Sequence, residues 1–239
     1  MMDIIYEPKG KAKEYAGLAC DIYNGCTHGC IYCYAKYYTK DVFYKTASPQ
    51  KNFIARLEQD VKLLGADCPE ILLSFHGDVY QPAEDPLKLT RAALEILRGA
   101  DLSLTVLTKG GTRAVRDFDI LEGYDKVRFG TTLIFTDQAD ADYWEPGASD
   151  IEDRISAIKT AHSMGISTWV SIGPVIDAAQ AIVLVNRLHP FVNHWKVGKI
   201  NYHKEIEDAV DWIQFRKEIT DLFLGVGADF YLKKSLIDI

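Results

Sequence analysis

The chain has 239 residues, of which 48% are hydrophobic and 26% charged, so it can bury a sizeable core and is too apolar to be disordered. Its formal net charge of −7 argues against broad nucleic-acid clamping, which depends on lysine and arginine neutralising phosphates, although a local basic patch stays open. Apolar runs such as residues 181–185 are far shorter than the roughly 20 residues of a membrane span, and residues 1–11 lack a signal peptide's apolar stretch, so we expect a soluble cytoplasmic protein.

Short runs rich in β-branched residues alternate with helical periodicity along the chain. The runs predict strands at residues 17–23, 70–77, 102–109, 126–135, 167–176, 194–201 and 229–236. No internal repeat, low-complexity tract or Pro/Gly/Ser-rich linker separates them. This continuity indicates one domain over residues 1–239.

Amphipathic helices are predicted between several of these strands, at residues 51–65, 86–99, 149–165 and 206–225. The third of them opens with Ser149 as an N-cap, has acidic residues in its first turn, and ends at Gly165. The fourth reads as one long helix near the C-terminus.

Six or seven strands separated by helices imply parallel βαβ units joined by right-handed crossovers. A complete eight-stranded barrel takes about 250 residues, and the first fifty residues here hold little besides one strand and a cysteine-rich loop. We therefore predict an α/β fold, a partial (β/α)6 TIM-like barrel. Reactive groups in such folds lie at the C-terminal ends of the strands.

Three cysteines, Cys26, Cys30 and Cys33, follow the first predicted strand with the spacing C-x3-C-x2-C. The chain has an odd total of five cysteines, so clustered thiols that bind a metal or cluster fit better than a secreted disulfide framework. A tetrahedral zinc site that adds His28 is one interpretation. Three thiolates without a fourth also suit a [4Fe-4S] cluster in which one iron stays open to a small molecule.

The spacing, with aromatic Tyr32 directly before the last cysteine, resembles the signature of the radical S-adenosylmethionine (SAM) superfamily. The resemblance implies that the open iron chelates SAM, and that reductive cleavage releases a 5′-deoxyadenosyl radical that abstracts a substrate hydrogen. It implies that Tyr32 contacts the adenine side of SAM through its backbone. It also implies an external one-electron donor of the flavodoxin or ferredoxin type. A non-catalytic zinc- or iron-sulfur-binding regulatory protein is the alternative from another class.

Ordered blocks over roughly residues 15–235, among them NGCTHGCIYCYA and IGPVID, look like the branch that contains spore photoproduct lyase. In that lyase the tyrosines flanking the third cysteine relay a hydrogen atom, and Tyr32 and Tyr34 stand at the matching positions. The lyase's hydrogen-donating cysteine on the second strand has no counterpart, because Ser74 or Phe75 stands there. Repair of thymine dimers is therefore the weaker interpretation.

The resemblance also indicates cofactor contacts at the strand ends. Gly77 and Asp78 match a glycine-plus-acid motif that holds the amino group of SAM, although both are common turn residues. Polar groups on the fourth and fifth strands are expected to bind the ribose, and a glycine to admit the adenine. The candidates are Thr131, Thr132, Ser171 and Gly173.

Other polar residues are expected at the same mouth. Arg154 can pair with the SAM carboxylate, or it can form an ion pair or a helix cap. His76 is a candidate catalytic residue because it precedes Gly77 and can point into the cavity. A basic rim favours an anionic or nucleotide-like substrate, and its members are Lys199, Asn201, Lys233 and Lys234.

Overall fold

The backbone is organised around a mostly parallel sheet. The computed structural model describes residues 2–37, 39, 45–65 and 67–239. The strands are β1 (Ile5–Tyr6), β2 (Leu18–Cys20), β3 (Tyr23–Asn24), β4 (Ser48–Pro49), β5 (Ile71–Leu73), β6 (Leu104–Thr108), β7 (Val127–Thr132), β8 (Ser167–Val175), β9 (His194–Lys199) and β10 (Asp229–Leu232).

Strand order follows chain order in this sheet. In the described chain the order is β1-β2-β5-β6-β7-β8-β9-β10, in which β1 runs antiparallel to β2 and every other neighbouring pair is parallel. Strands β3 and β4 form a separate antiparallel pair. The predicted partial barrel is confirmed, and β10 adds a parallel strand beyond six. The strand expected over 229–236 ends at Leu232 and gives way to a short helix.

Helices connect the parallel strands. They are α1 (Phe53–Val61), α2 (Glu84–Leu87), α3 (Leu89–Gly99), α4 (Phe118–Leu121), α5 (Gln138–Trp144), α6 (Ile151–Ser163), α7 (Ala178–Leu188), α8 (Lys204–Ala209), α9 (Trp212–Gly225) and α10 (Lys234–Ile237). No helix in the described part of the chain is long and apolar enough to cross a membrane.

The prediction of one continuous helix over residues 206–225 is wrong. Helix α8 ends at Ala209, Val210 is extended, and α9 begins after Asp211. The Asp211 carboxylate accepts a hydrogen bond from the backbone N–H of Gln214 at 2.9 Å, which caps α9. Helix α6 likewise begins after Asp150 instead of Ser149, and α5 and α7 were not predicted.

Side chains alternate between the two faces of the sheet. On the outer face, Val106, Val170 and Trp195 belong to the main core beneath the helices. The inner face carries a smaller cluster that includes Leu72 and Trp169. Two distinct apolar clusters on opposite faces are what a barrel wall requires.

The N-terminal segment Gly10–Glu14, a 3-10 helix, connects β2 to the far strands. The Lys196 ammonium on β9 donates to the backbone carbonyls of Glu14 at 3.0 Å and Tyr15 at 2.7 Å. The Glu14 carboxylate accepts from the Tyr231 hydroxyl on β10 at 3.0 Å. The segment therefore links the two sides of the open barrel.

A buried carboxylate on α1 holds the first strand. Asp60, 2% exposed, accepts hydrogen bonds from the backbone N–H groups of Asp3, Ile4 and Ile5 at 2.6–2.8 Å. Asp60→Ala leaves these groups without their acceptor, so we expect urea denaturation to show a loss of about 2–4 kcal/mol in unfolding free energy. The exposed control Glu58→Ala on the same helix should change it by less than about 0.5 kcal/mol. Similar losses in both variants would contradict this role.

Candidate functional site

The cysteine-rich loop begins directly after β3. Cys26, Cys30 and Cys33 are free thiols, Cys30 buried and the other two partly exposed. Burial raises the pKa of Cys26 to about 12 and the pKa of Cys30 to about 11. Metal binding to these thiols therefore releases protons.

The cysteine-rich loop is shaped by Gln81 and Gly77, both of which follow β5 in the chain. The buried Gln81 side chain donates to the Gly25 carbonyl at 3.2 Å and accepts from the Thr27 N–H at 3.0 Å, so it holds the backbone on both sides of Cys26. Gly77 has φ +87°, and a Cβ there would lie 2.9 Å from the Gly25 carbonyl oxygen. Both the positive φ and this close approach require glycine.

The loop contains polar atoms that lack partners. Thr27 Oγ1 and His28 Nε2 are buried and make no hydrogen bond within the described residues. Buried polar atoms ordinarily have a partner, and iron-sulfur clusters accept hydrogen bonds at their sulfurs. The chemistry of three free thiols and two unpartnered polar groups suits such a cluster. The thiols are not gathered into a site for a single metal ion, and neither are any other three His, Cys, Asp or Glu side chains of the described residues.

Asp78 connects the ends of β5 and β6. Its Oδ1 accepts from the Tyr80 N–H at 2.8 Å and the Thr108 hydroxyl at 2.6 Å, and its Oδ2 accepts from the Lys109 N–H at 2.6 Å. His28 Nδ1 lies 3.5 Å from Oδ2. A carboxylate offers about four acceptor positions, so three are used by these bonds and His28 faces the fourth.

A buried ion pair joins Glu145, the residue that follows α5, to Arg154 on α6. Arg154, 1% exposed, donates to Glu145 Oε2 at 2.6 Å, and to the carbonyls of Thr132 at 3.1 Å and Ser149 at 2.8 Å. The Tyr32 hydroxyl donates to the other carboxylate oxygen of Glu145. The ion-pair alternative for Arg154 thus describes its contacts in this structure, although the pair is buried and not on the surface.

Lys109 brings positive charge to the cysteine loop. Its Nζ lies 5.5 Å from the Tyr32 ring centroid. Burial opposes its charge, but Cys30, Glu145 and Asp78 raise the pKa of Lys109 overall. A persistent ammonium here favours the thiolate forms that a cluster needs.

A second hydrogen-bond network surrounds Asp21, the residue after β2. Its Oδ1 accepts from the Ser74 hydroxyl and the N–H groups of Phe75 and His76 at 2.6–2.7 Å. Its Oδ2 accepts from the Tyr6 hydroxyl at 2.6 Å and lies 2.9 Å from His76 Nδ1. The hydrogen bond to Asp21 raises the pKa of His76, while partial burial opposes the rise. The His76 side chain is still 42% exposed.

Tyr34 lies beside this network. Its ring centroid is 5.8 Å from that of His76, and its hydroxyl donates to the Phe75 carbonyl at 3.3 Å. The structure therefore brings together Tyr34 and His76, two predicted catalytic residues. The third, Tyr32, faces Glu145 instead.

The three hydroxyls predicted to contact the ribose differ in whether the protein already uses them in hydrogen bonds. The Thr131 hydroxyl donates to the Thr108 carbonyl at 2.7 Å and is used between strands. Thr132 is buried at the end of β7. Ser171 is also buried, with its Oγ 3.4 Å from the Tyr15 hydroxyl.

Gly173 on β8 lies against Lys233, one member of the predicted basic rim. A Cβ at Gly173 would lie 2.5 Å from Lys233 Nζ, so the glycine makes room for that lysine. Asn201 accepts from Lys11 Nζ at 2.5 Å. Lys199 Nζ stands 5.6 Å from a tryptophan ring at the start of α9.

The family model described as the radical SAM superfamily matches residues 21–177, more than half of the chain. The chain belongs to the radical SAM superfamily. Membership makes it an enzyme whose cofactors are a [4Fe-4S] cluster and SAM, and it decides against the non-catalytic metal-binding alternative. Enzymes of this family require a substrate and an external electron donor.

An uncharacterized protein of Methanocaldococcus jannaschii is 31% identical over 186 residues, which cover 75% of this chain and 68% of the relative. A spore photoproduct lyase mutant with bound AdoMet and dinucleoside spore photoproduct is similar in fold, with a TM-score of 0.73, 13% identity, and coverage of 95% of this chain and 78% of that chain. SuiB of Streptococcus suis bound to S-adenosylmethionine has a TM-score of 0.65 and 14% identity over 90% of this chain. The match covers 45% of SuiB, less than half of its length.

Asp21, Tyr6 and Gln81 were missed in the sequence. Asp21 and Tyr6 contact His76, and Gln81 holds the backbone on both sides of Cys26, yet none stood out in a motif. Asp21 carried a usable signal, because a carboxylate directly after a parallel strand lies at the edge where such folds place reactive groups. Tyr6 carried none, since only folding brings it to Asp21.

Asp21→Asn should lower the pKa of His76, because the neutral amide no longer stabilises the imidazolium. Proton NMR titration of the histidine ring signals measures this. His194, whose pKa is lowered chiefly by burial, is an internal control whose pKa should not change.

A raised folded-state pKa of His76 means that the Asp21–His76 pair stabilises the fold fully below about pH 6.5. This contribution is lost as the pH rises through the folded-state pKa of His76. An unchanged His76 titration would refute the pairing.

Glu145→Ala leaves the buried Arg154 guanidinium without its carboxylate. We expect the unfolding free energy in urea to fall by about 3–5 kcal/mol. The control Glu152→Ala, on the same helix as Arg154, removes a partly exposed pair with Arg187 and should cost less than about 1 kcal/mol. A loss for Glu145→Ala no larger than for the control would contradict the buried pair.

Proposed function

We propose that Cys26, Cys30 and Cys33 hold a [4Fe-4S] cluster with one iron open to SAM, and that the enzyme abstracts a hydrogen atom from a substrate at the inner face of the barrel. The family match over residues 21–177, which contains these three thiols, carries the proposal. When bound and reduced, the cluster supplies the electron that cleaves SAM to a 5′-deoxyadenosyl radical. The electron donor is external, of the flavodoxin or ferredoxin type.

In this proposal the protein prepares the loop before the cofactors bind. Gln81 and Gly77 hold its backbone around Cys26. Lys109 offsets the negative charge of the thiolates. The Thr27 hydroxyl is available to donate to a cluster sulfur, and His28 Nε2 also lacks a partner among the described residues.

The proposed SAM contacts lie on the strand ends around this loop. Asp78 accepts a hydrogen bond from the amino group of SAM, which takes the place of its contact with His28, and the Tyr32 backbone faces the adenine. Arg154 pairs with Glu145, so it acts on the cofactor as one member of a fixed ion pair and not as a separate positive charge. The full proposed set is Tyr32, Gly77, Asp78, Thr131, Thr132, Arg154, Ser171 and Gly173. Of the two threonines, Thr132 is the better candidate, since the Thr131 hydroxyl is already bonded.

On the substrate side we assign hydrogen transfer to Tyr34 and His76, with Tyr32 as a further relay candidate. The contact of the Tyr34 and His76 rings supports this assignment. Asp21 holds His76 at Nδ1, which leaves Nε2 to give or take a proton. Ser74 or Phe75 stands at the place of the lyase's donor cysteine, and the Ser74 hydroxyl is bonded to Asp21, so thymine-dimer repair stays the weaker interpretation.

Anaerobic reconstitution followed by dithionite and SAM tests the function. The wild-type enzyme should hold about four irons and four sulfides per chain and form 5′-deoxyadenosine, detected by chromatography. Cys30→Ala should reduce this to the level of an enzyme-free sample. The control Cys68→Ala, at the opposite end of β5, should retain it.

Two outcomes would reject the proposed function. One is a full complement of iron in the wild-type protein with no cleavage of SAM. The other is one zinc per chain in place of iron.

A further inference from the structure

Two lysines on the inner side of the barrel lie against the same phenol ring. Lys196 on β9 is 7% exposed, and its Nζ is 5.5 Å from the ring centroids of both Tyr15 and Trp169. Lys233 directly follows β10, with its Nζ 4.2 Å from the Tyr15 centroid, and it donates to the Tyr15 hydroxyl. Two ammonium groups, one on a buried and one on a partly exposed lysine, thus lie against one aromatic ring.

Glycines on the neighbouring strands make room for the Lys233 side chain. A Cβ at Gly173 on β8 would lie 2.5 Å from Lys233 Nζ, and one at Gly198 on β9 would lie 2.5 Å from Lys233 Cδ. Lys233 therefore lies flat across two glycines, with its ammonium beside Tyr15. Ser171 Oγ lies 3.4 Å from the Tyr15 hydroxyl, so an ammonium, a phenol and a hydroxyl converge there.

No carboxylate balances these charges. Among the ion pairs within 4.0 Å that the described residues form, none includes Lys196 or Lys233. Lys196 is satisfied by two backbone carbonyls, and Lys233 by the Tyr15 hydroxyl. Enclosed charge without a counter-ion is costly, and an anion that enters the site removes that cost.

Neighbouring charged groups confirm that the site is electropositive. Burial is the largest cause that lowers the pKa of Lys196 to about 8; Arg128 and Lys233 contribute to this lowering, and Glu70 and Glu14 partly oppose it. Glu70 is paired with Arg128, and the Glu14 carboxylate accepts bonds from β10 and the start of α10. Neither carboxylate neutralises the lysines.

We propose that Lys233 and Tyr15, with Lys196 close by, bind an oxyanion of the substrate, either a carboxylate or a phosphate. These donors match an oxyanion's acceptors, and its charge balances the two ammonium groups. The proposal rests on the proposed function, because it names the chemical class of substrate for the same mouth.

The site lies near the hydrogen-transfer side chains. The Tyr15 ring centroid is 5.7 Å from that of Phe75, which in turn lies 5.6 Å from Tyr34 and 6.0 Å from His76. An oxyanion held by Tyr15 therefore places the rest of a small substrate next to Tyr34 and His76.

Titration of the full-length protein without SAM, at constant ionic strength, tests the site with two probes, inorganic phosphate and acetate. Calorimetry measures binding, and NMR of the lysine Cε signals follows Lys196. We expect saturable binding of at least one probe and a rise in the pKa of Lys196 from about 8. Saturation by phosphate alone indicates a phosphate-bearing substrate, and saturation by acetate alone a carboxylate.

Variants identify the donors. Lys233→Gln should weaken binding of the probe about tenfold or more, because a charge-assisted hydrogen bond is lost, and Tyr15→Phe should weaken it less. The control Lys217→Gln, an exposed lysine on α9, should bind like the wild type. Equal weakening by the Lys217 and Lys233 variants would mean general charge attraction and would overturn the site.

Failure of this site and failure of the proposed function are distinguishable. The anion titration needs neither cluster nor SAM, so it remains valid even if the reconstituted enzyme forms no 5′-deoxyadenosine. If the enzyme cleaves SAM but binds neither probe, only the oxyanion site is wrong. If SAM displaces the bound probe from the wild-type protein, the donors belong to the cofactor and the substrate assignment is overturned.

Discussion

The protein depends on the parallel pairing of its strands, since this brings the C-terminal ends of β2 and β5 to β9 to one edge. Where a strand ends, its backbone groups lose their sheet partners and need others. Two buried carboxylates meet that need. Asp21 accepts the N–H groups that follow β5, and Asp78 accepts the N–H of Lys109 at the end of β6. The same bonds position His76 and Lys109, so stability and site geometry share their causes.

The balance of charge differs between the two sides of the barrel mouth, where the C-terminal ends of the strands lie. Beside the cysteine loop, Lys109 and Arg154 lie among Glu145, Asp78 and the thiols, and the charges largely compensate one another. On the inner wall, Lys196 and Lys233 have only carbonyls and phenols. A self-compensated side suits a cofactor that must be oriented reproducibly. An uncompensated side suits a ligand that brings its own negative charge.

Local pattern was a good guide to the strands and to the cysteine motif. Buried parallel strands read as continuous apolar runs, and all seven predicted runs contain a strand of the sheet. The error over residues 206–225 arose because apolar periodicity continues across Val210, while the capping bond of Asp211 starts a new helix. Apolar periodicity predicts which face of a helix is buried, but it does not predict a capping residue at which one helix ends and another begins.

The sequence by itself determined the α/β barrel class, the family, and the three thiols expected to bind the cluster, because each of these depends on short-range spacing or on runs that any parallel sheet must bury. Only the tertiary structure decided the partners of the polar residues. Asp21 lies 55 positions from His76, and Tyr15 lies 218 positions from Lys233. Such contacts follow from strand order and from where loops cross the barrel, and no local pattern of residues encodes them.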